Sequence, residues 1–104
     1  MRVTIAEIAQ ALNYPYLQNG DGIVTGVSID SRAVNKGDLF VALAGEQTDG
    51  HNYLAQALEQ GAAGVVISRE DAIAEYGLQN YILAEDGAVF LRTLAHWLRQ
   101  NTEI

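Results

Sequence analysis

The stretch SIDSRAVNKGDLFVALAGEQTDGH, residues 28–51, places a short apolar run between two polar loops. The apolar run, residues 39–43, has the length of a buried strand. Asp30, Ser31 and Arg32 precede it, and the loop after it reads GEQTDG, residues 45–50. Polar loops that follow neighbouring parallel strands meet at one edge of a sheet, where ligands bind. The stretch therefore predicts an α/β sheet with a polar ligand site beside it.

Length, charge and composition limit the class of protein. The chain has 104 residues and a net charge of -7, which predicts one domain and argues against nucleic-acid or anionic membrane partners. The absence of cysteine excludes disulfides, thiol catalysis and thiolate metal sites. No apolar run is long enough for a membrane helix, and the start lacks the pattern of a signal peptide. We therefore expect a cytoplasmic protein.

Hydrophobic periodicity predicts alternating helices and strands. Thr4 and Glu7 have the spacing of a capping box at a helix start, and Gly61 has the position of a glycine that ends a helix. The predicted elements are a helix over residues 4–12, a loop over 13–22 with room for a short strand, strands over 23–29, 39–43, 64–68 and 81–83, and helices over 51–60, 71–78 and 87–100. This order is typical of βαβ units, so we expect a small, mainly parallel sheet with flanking helices.

The two polar loops have the composition of a site for a polar ligand with a planar edge and an anionic part. Arg32 can make a forked contact to phosphate or carboxylate, and the glycines at 45 and 50 allow close approach of the backbone. The same residue types are also common in turns. In that reading Asp30 and Arg32 pair with each other, Ser31 satisfies a loop N–H, and Asp49 caps the next helix.

Catalytic patterns are missing from the sequence. There is no phosphate loop ending in Gly-Lys-Ser/Thr, no recognisable Ser-His-Asp arrangement and no nucleophile elbow. His51 is expected to be a surface or capping histidine, because no other ligand lies at a metal-binding spacing. We therefore predict a domain that holds a ligand and has no catalytic or metal residues.

The stretch DSRAVNKGDLFVALAGEQTDGHNYLAQALEQGAAGVV, residues 30–66, resembles the N-terminal domain of Mur ligases. The resemblance lies in the ordered set DSR, GDLFVA, Gly45, DGH and GA before VV. It implies a Mur ligase N-terminal domain-like fold and a role in ATP-dependent extension of the peptide of the bacterial cell-wall precursor. Of the two branches that share this domain type, the chain is more similar to the one adding D-alanyl-D-alanine than to the one adding a diamino acid. Its first helix begins close to Met1, and its last helix reads LAHWLR.

The resemblance also implies a ligand and its contacts. In the family this domain holds the UDP end of UDP-N-acetylmuramoyl-peptide. By position, the expected contacts are Ile29, Asp30, Ser31 and Arg32 on one wall, and Glu46, Gln47, Thr48, Asp49 and Gly50 on the other. Ser31 is expected to donate its hydroxyl near the diphosphate or uracil, and Gln47 and Thr48 to contact the uracil or ribose.

The resemblance further implies that residues 1–104 form one domain of a longer enzyme. A complete ligase continues with a central ATP-binding domain, which would be the partner of this one, and then a C-terminal domain. ATP and magnesium act in those domains, so we expect this chain to need no cofactor and to be inactive alone. Two other interpretations remain: a stand-alone interaction or sensor domain without ligase activity, and an unrelated nucleotide-binding α/β domain.

Overall fold

The computed structural model describes residues 1–44 and 49–101. Its strands are β1 Val3–Thr4, β2 Tyr16–Leu17, β3 Ile23–Val24, β4 Gly26–Ser28, β5 Asp38–Val41, β6 Gly64–Ile67 and β7 Tyr81–Leu83. Its α-helices are α1 Ile5–Leu12, α2 Leu54–Glu59, α3 Asp71–Tyr76 and α4 Gly87–Asn101. Two 3-10 turns, Ser31–Ala33 and Gly50–Tyr53, follow β4 and precede α2.

The main sheet has five strands in the order β2-β7-β6-β5-β4. β4, β5, β6 and β7 run parallel, and the edge strand β2 is antiparallel to β7. All four residues of β5 and of β6 are buried, as expected when helices cover both faces of a parallel sheet. The prediction of a mainly parallel α/β sheet is confirmed.

Alternating residues of β5 divide the core between the two faces. Leu39 and Val41 pack in one cluster with buried residues of α1 and α4. Phe40 packs in the other cluster with Leu54 and Ala57 of α2. The carboxyl end of β5 is therefore held between helices on both sides, which makes it a fixed base for the loops that follow.

Two short-range signals in the sequence are confirmed. The Thr4 hydroxyl accepts from the Glu7 backbone N–H at 3.0 Å, and the Glu7 carboxylate accepts from the Thr4 N–H at 3.1 Å, which is a capping box. Gly61 directly follows Gln60, the C-cap residue of α2. Its φ is +100°, a conformation that favours glycine.

The prediction of one strand over residues 23–29 is wrong. β3 pairs with β1 in a separate two-stranded sheet, and only β4 joins the main sheet. Between them the Thr25 N–H donates to the Gly37 carbonyl at 2.9 Å. The two ends of the predicted strand also differ in burial, because Val24 is fully buried whereas Ile29 is 56% exposed. The chain changes sheets at Thr25, so a single alternating pattern does not describe both halves.

The helix predicted over residues 51–60 begins as a 3-10 turn, and α2 proper starts at Leu54. Leu54 and Ala57 of this segment are fully buried, but Tyr53 is 42% exposed. In the last helix, Phe90 and Leu94 are buried. Within the described residues, none of the helices combines the length and apolarity needed to cross a bilayer.

Candidate functional site

A cleft of about 580 Å³ lies at the carboxyl ends of β4 and β5. It is lined by Ile29, Asp30, Ser31, Arg32, Phe40, Leu43, Gly50, Tyr53 and Gln56. The loop after β4 and the start of the turn before α2 therefore meet at one edge of the sheet, as the sequence predicts. Of the nine residues expected to contact a ligand, five line this cleft. Asp49 packs against His51 beside it, and Glu46, Gln47 and Thr48 lie outside the described residues.

Asp30 and Arg32 form the turn at one side of the cleft. The Asp30 carboxylate accepts from the Arg32 backbone N–H at 2.9 Å and from the guanidinium Nε and Nη2 at 3.2 and 3.1 Å. These bonds to Arg32 lower the pKa of Asp30. The pairing of Asp30 with Arg32 that is expected of turn residues is therefore observed. The Arg32 side chain is nevertheless 81% exposed, so it can turn to an anionic ligand with little desolvation.

Ser31 is buried at the base of the cleft, and its hydroxyl donates to the Gln56 side-chain oxygen at 2.7 Å. Among the residues that the structure describes, no loop N–H donates to the Ser31 hydroxyl, so that expectation is not met there. Because Gln56 Oε1 can only accept, the Ser31 proton is used within the protein. Ser31 then offers an acceptor lone pair, and the Gln56 amide nitrogen offers donors. The pair can therefore match a ligand edge that carries both an N–H and a carbonyl.

Apolar side chains complete the cleft. Phe40 is buried beneath it, whereas Ile29 and Tyr53 are 56% and 42% exposed. An exposed aromatic ring and an exposed aliphatic group beside a donor–acceptor pair are suited to a flat, polar-edged ring. Sequence reasoning missed both Gln56 and Tyr53 as cleft residues. The sequence signal for them was their spacing of three residues at a helix start, because this spacing puts both side chains on the same face of the helix.

Gly50 brings the second loop against the end of β5. Its N–H donates to the Leu43 carbonyl at 2.7 Å, and Ala44 and Asp49 form an antiparallel bridge. A Cβ at Gly50 would lie 2.6 Å from the Leu43 nitrogen and 2.9 Å from its oxygen. The close approach requires glycine here, because backbone atoms cannot rotate away.

Of the two roles expected for His51, surface or capping, the surface position is wrong, because the residue is fully buried. Its Nδ1 lies 2.6 Å from Asp49 Oδ1, and its Nε2 accepts from the Ser68 backbone N–H at 3.0 Å. The predicted capping role of Asp49 is observed, since Oδ1 also accepts from the His51 backbone N–H at 2.9 Å. That backbone bond is the main reason why the pKa of Asp49 is lowered.

A second cleft of about 520 Å³ lies at the carboxyl ends of β6 and β7. Its surface is mostly apolar, and the described residues that line it include three carboxylates and no cation. These residues are Tyr14, Pro15, Ser68, Glu70, Leu83, Glu85, Asp86 and Val89. Such a lining disfavours an anionic ligand. Among the described residues, no group of three or more His, Asp or Glu side chains is placed to hold a metal ion.

Residues 23–102 match a family model described as "Mur ligase family, catalytic domain". A UDP-N-acetylmuramoyl-L-alanyl-D-glutamate–2,6-diaminopimelate ligase of Parabacteroides distasonis is 36% identical over 91 residues, covering 86% of this chain and 18% of the relative. A UDP-N-acetylmuramoyl-tripeptide–D-alanyl-D-alanine ligase of Haemophilus influenzae is 30% identical over 101 residues, covering 97% of this chain and 21% of the relative.

Solved structures show the same likeness. The structure of MurF from Acinetobacter baumannii matches with a TM-score of 0.79 and 26% identity, over 96% of this chain and 21% of that one. MurF from Thermotoga maritima, in complex with ADP, matches with a TM-score of 0.66 and 28% identity, over 77% of this chain and 18% of that one. The chain thus spans about a fifth of the length of the two curated relatives named above.

Proposed function

Since the chain belongs to the Mur ligase family, we propose that it is the N-terminal domain that holds the UDP end of UDP-N-acetylmuramoyl-peptide. One observation carries the proposal: Ile29, Asp30, Ser31 and Arg32 meet Gly50 in a single cleft with both a cation and a neutral donor–acceptor pair. The cleft volume of about 580 Å³ is within the range of small-molecule sites.

The chemistry of uridine diphosphate fits this set of groups. The uracil edge alternates carbonyl oxygens with one N–H, so the Ser31 oxygen can accept while the Gln56 amide donates. Ile29 and Tyr53 are exposed beside this pair and can cover the two faces of the ring. Arg32 is then the cation for the diphosphate. Glu46, Gln47, Thr48, Asp49 and Gly50 are proposed, as the resemblance implies, to form the opposite wall.

The parent enzyme is proposed to add D-alanyl-D-alanine. Support comes from the extent of the likeness, because the Haemophilus influenzae relative covers 97% of this chain and the Acinetobacter baumannii structure covers 96%. The second candidate is the diaminopimelate-adding ligase, which is supported by the higher identity, 36%, of the Parabacteroides distasonis relative. Assay of the parent protein with each amine substrate separates the two.

ATP and magnesium do not fit the residues of this chain. The sequence lacks a phosphate loop, and the described residues offer no set of metal ligands. We therefore assign both to the central ATP-binding domain of the parent ligase, which is the proposed partner of this domain. The chain alone is proposed to bind precursor in the cytoplasm without catalysing ligation.

Calorimetric titration of this chain with UDP, CDP and ADP tests the proposal. We expect weak binding of UDP, with a Kd of about 0.1–1 mM, because contacts to the rest of the precursor are missing. CDP should bind at least about tenfold more weakly, because its ring lacks the N–H that Ser31 would accept. Arg32→Ala should weaken UDP binding while leaving uridine binding unchanged. Equal affinity for the three nucleotides, or no UDP binding, would contradict the proposal.

A further inference from the structure

The described structure contains one buried histidine that the proposed cleft does not use directly. His51 is fully buried, does not line the cleft, and lies in the 3-10 turn between Asp49 and α2. A buried imidazole is stable only when its ring nitrogens find partners. Both nitrogens of His51 have one, and the two partners come from different parts of the fold.

The two hydrogen bonds assign the role of each ring nitrogen. The Ser68 backbone N–H can only donate, so Nε2 accepts at 3.0 Å. Nδ1 therefore carries the proton and donates to Asp49 Oδ1 at 2.6 Å. Ser68 follows directly after β6, a fully buried central strand. His51 thus connects the rigid centre of the sheet to the Asp49 carboxylate.

Asp49 directly precedes the 3-10 turn that starts at Gly50. It forms a bridge to Ala44, and the next residue, Gly50, donates its N–H to Leu43 at 2.7 Å. The other charged groups near Asp49 hold it more weakly. Arg69 Nη1 lies 3.8 Å from Asp49 Oδ2, and Arg69 Nε lies 3.8 Å from Asp71 Oδ1. Among the described residues, His51 is therefore the principal side-chain partner of Asp49.

We propose that His51 is a positioning residue that fixes the loop base, Asp49 and Gly50, at the edge of the cleft. This inference rests on the proposed function for its effect on affinity, but not for its effect on the loop base. The proton on Nδ1 makes the hydrogen bond that holds Asp49. The bond from the Ser68 N–H to Nε2 keeps that proton on Nδ1. Loss of the Asp49 bond should therefore matter more to the loop than loss of the Ser68 bond.

Two substitutions separate the two hydrogen bonds. In His51→Asn the amide nitrogen takes the place of Nδ1 and can still donate to Asp49, while the Ser68 partner is lost. In His51→Gln the side-chain oxygen reaches the place of Nε2 and can still accept from Ser68, while the donor to Asp49 is lost. Leu94→Ala, in the core cluster of the opposite face, serves as a control for general loss of stability.

Amide hydrogen exchange at Gly50 gives a readout that needs no ligand. We expect the Gly50 amide to exchange at least about tenfold faster in His51→Gln than in Leu94→Ala, when the two variants are compared under conditions that give them the same unfolding free energy. His51→Asn should stay within about twofold of that control. Equal protection of Gly50 in His51→Gln and the control, or equal loss in the Asn and Gln variants, would overturn the positioning role.

UDP titration followed by NMR then tests the functional consequence. We expect His51→Gln to weaken binding about fivefold or more, and His51→Asn and Leu94→Ala to bind like the wild type. If the wild type binds UDP and His51→Gln binds it equally well, the inference fails while the proposed function stands. If the wild type does not bind UDP, the proposed function fails, and the exchange result alone decides whether His51 fixes the loop base.

Discussion

Substitution of Gly50 by alanine should damage both the fold and the cleft. The added Cβ would meet three backbone atoms: the Leu43 nitrogen at 2.6 Å, the Leu43 oxygen at 2.9 Å and the Ala42 Cα at 3.0 Å. No change of side-chain rotamer relieves these contacts. The turn before α2 must therefore move away from the end of β5, and the 2.7 Å hydrogen bond from Gly50 to Leu43 must lengthen or break.

The expected loss of stability is the sum of two effects. Overpacking of a close contact destabilises by about 1–3 kcal/mol, and loss of one backbone hydrogen bond by about 1 kcal/mol. Gly50→Ala should therefore lose about 2–4 kcal/mol of unfolding free energy. For a domain of this size, that loss corresponds to a fall in Tm of roughly 10–25 °C. UDP affinity should fall as well, because Gly50 lines the cleft.

Urea unfolding and thermal melting of the variant measure this effect. Gly20→Ala is the matched control, because Gly20 has φ +79° but no atom within 4 Å of the added Cβ. It should lose only about 1–2 kcal/mol from backbone strain, and its UDP affinity should not change. If Gly50→Ala proves as stable as the control and binds UDP normally, the close approach of Gly50 to β5 is not required.

Three further substitutions test other parts of the account. Ser31→Ala should reduce stability by about 1 kcal/mol, because Gln56 loses its donor, and should raise the UDP Kd about tenfold in calorimetry; an unchanged Kd would remove Ser31 from the site. Leu54→Ala should lose about 2–5 kcal/mol in urea unfolding, since Leu54 is fully buried; a smaller loss would mean that α2 packs loosely. Asp49→Asn tests pH dependence. The folded-state pKa of Asp49 is lowered below its ordinary value of 3.8, so its stabilising effect is present above that pH and is lost as the pH falls through the lowered value. Wild type and Asp49→Asn should differ in urea midpoint at neutral pH and converge below pH 3.8; a constant difference would exclude the Asp49 charge as the cause.

Short-range features of this fold were predictable from sequence. The Thr4 and Glu7 capping box, the glycine at 61 and the apolar strand that starts near Leu39 each depend on residues within a few positions of one another. Their energetics are local, so the sequence pattern carries them. The order of strands and helices then implied a parallel sheet, because parallel strands need crossover connections.

Features that depend on distant residues were not predictable. Nothing local to Thr25 shows that its N–H will pair with Gly37 and divide an alternating run between two sheets. His51 is buried because the backbone N–H of Ser68, on another strand end, reaches its ring. Gln56 enters the site because α2 packs beside Ser31. In each case the partner lies more than ten residues away, beyond the reach of a periodicity argument.

The cleft beside β4 and β5 is proposed to hold uridine diphosphate. The most direct test is an NMR titration of this chain with UDP and with UDP-N-acetylmuramoyl-tripeptide. We predict that amide shifts caused by both ligands concentrate at Asp30, Ser31, Arg32, Gly50 and Gln56. This prediction is contradicted if the shifts concentrate in the second cleft, between Tyr14 and Val89, or if no amide shifts at about 5 mM of either ligand.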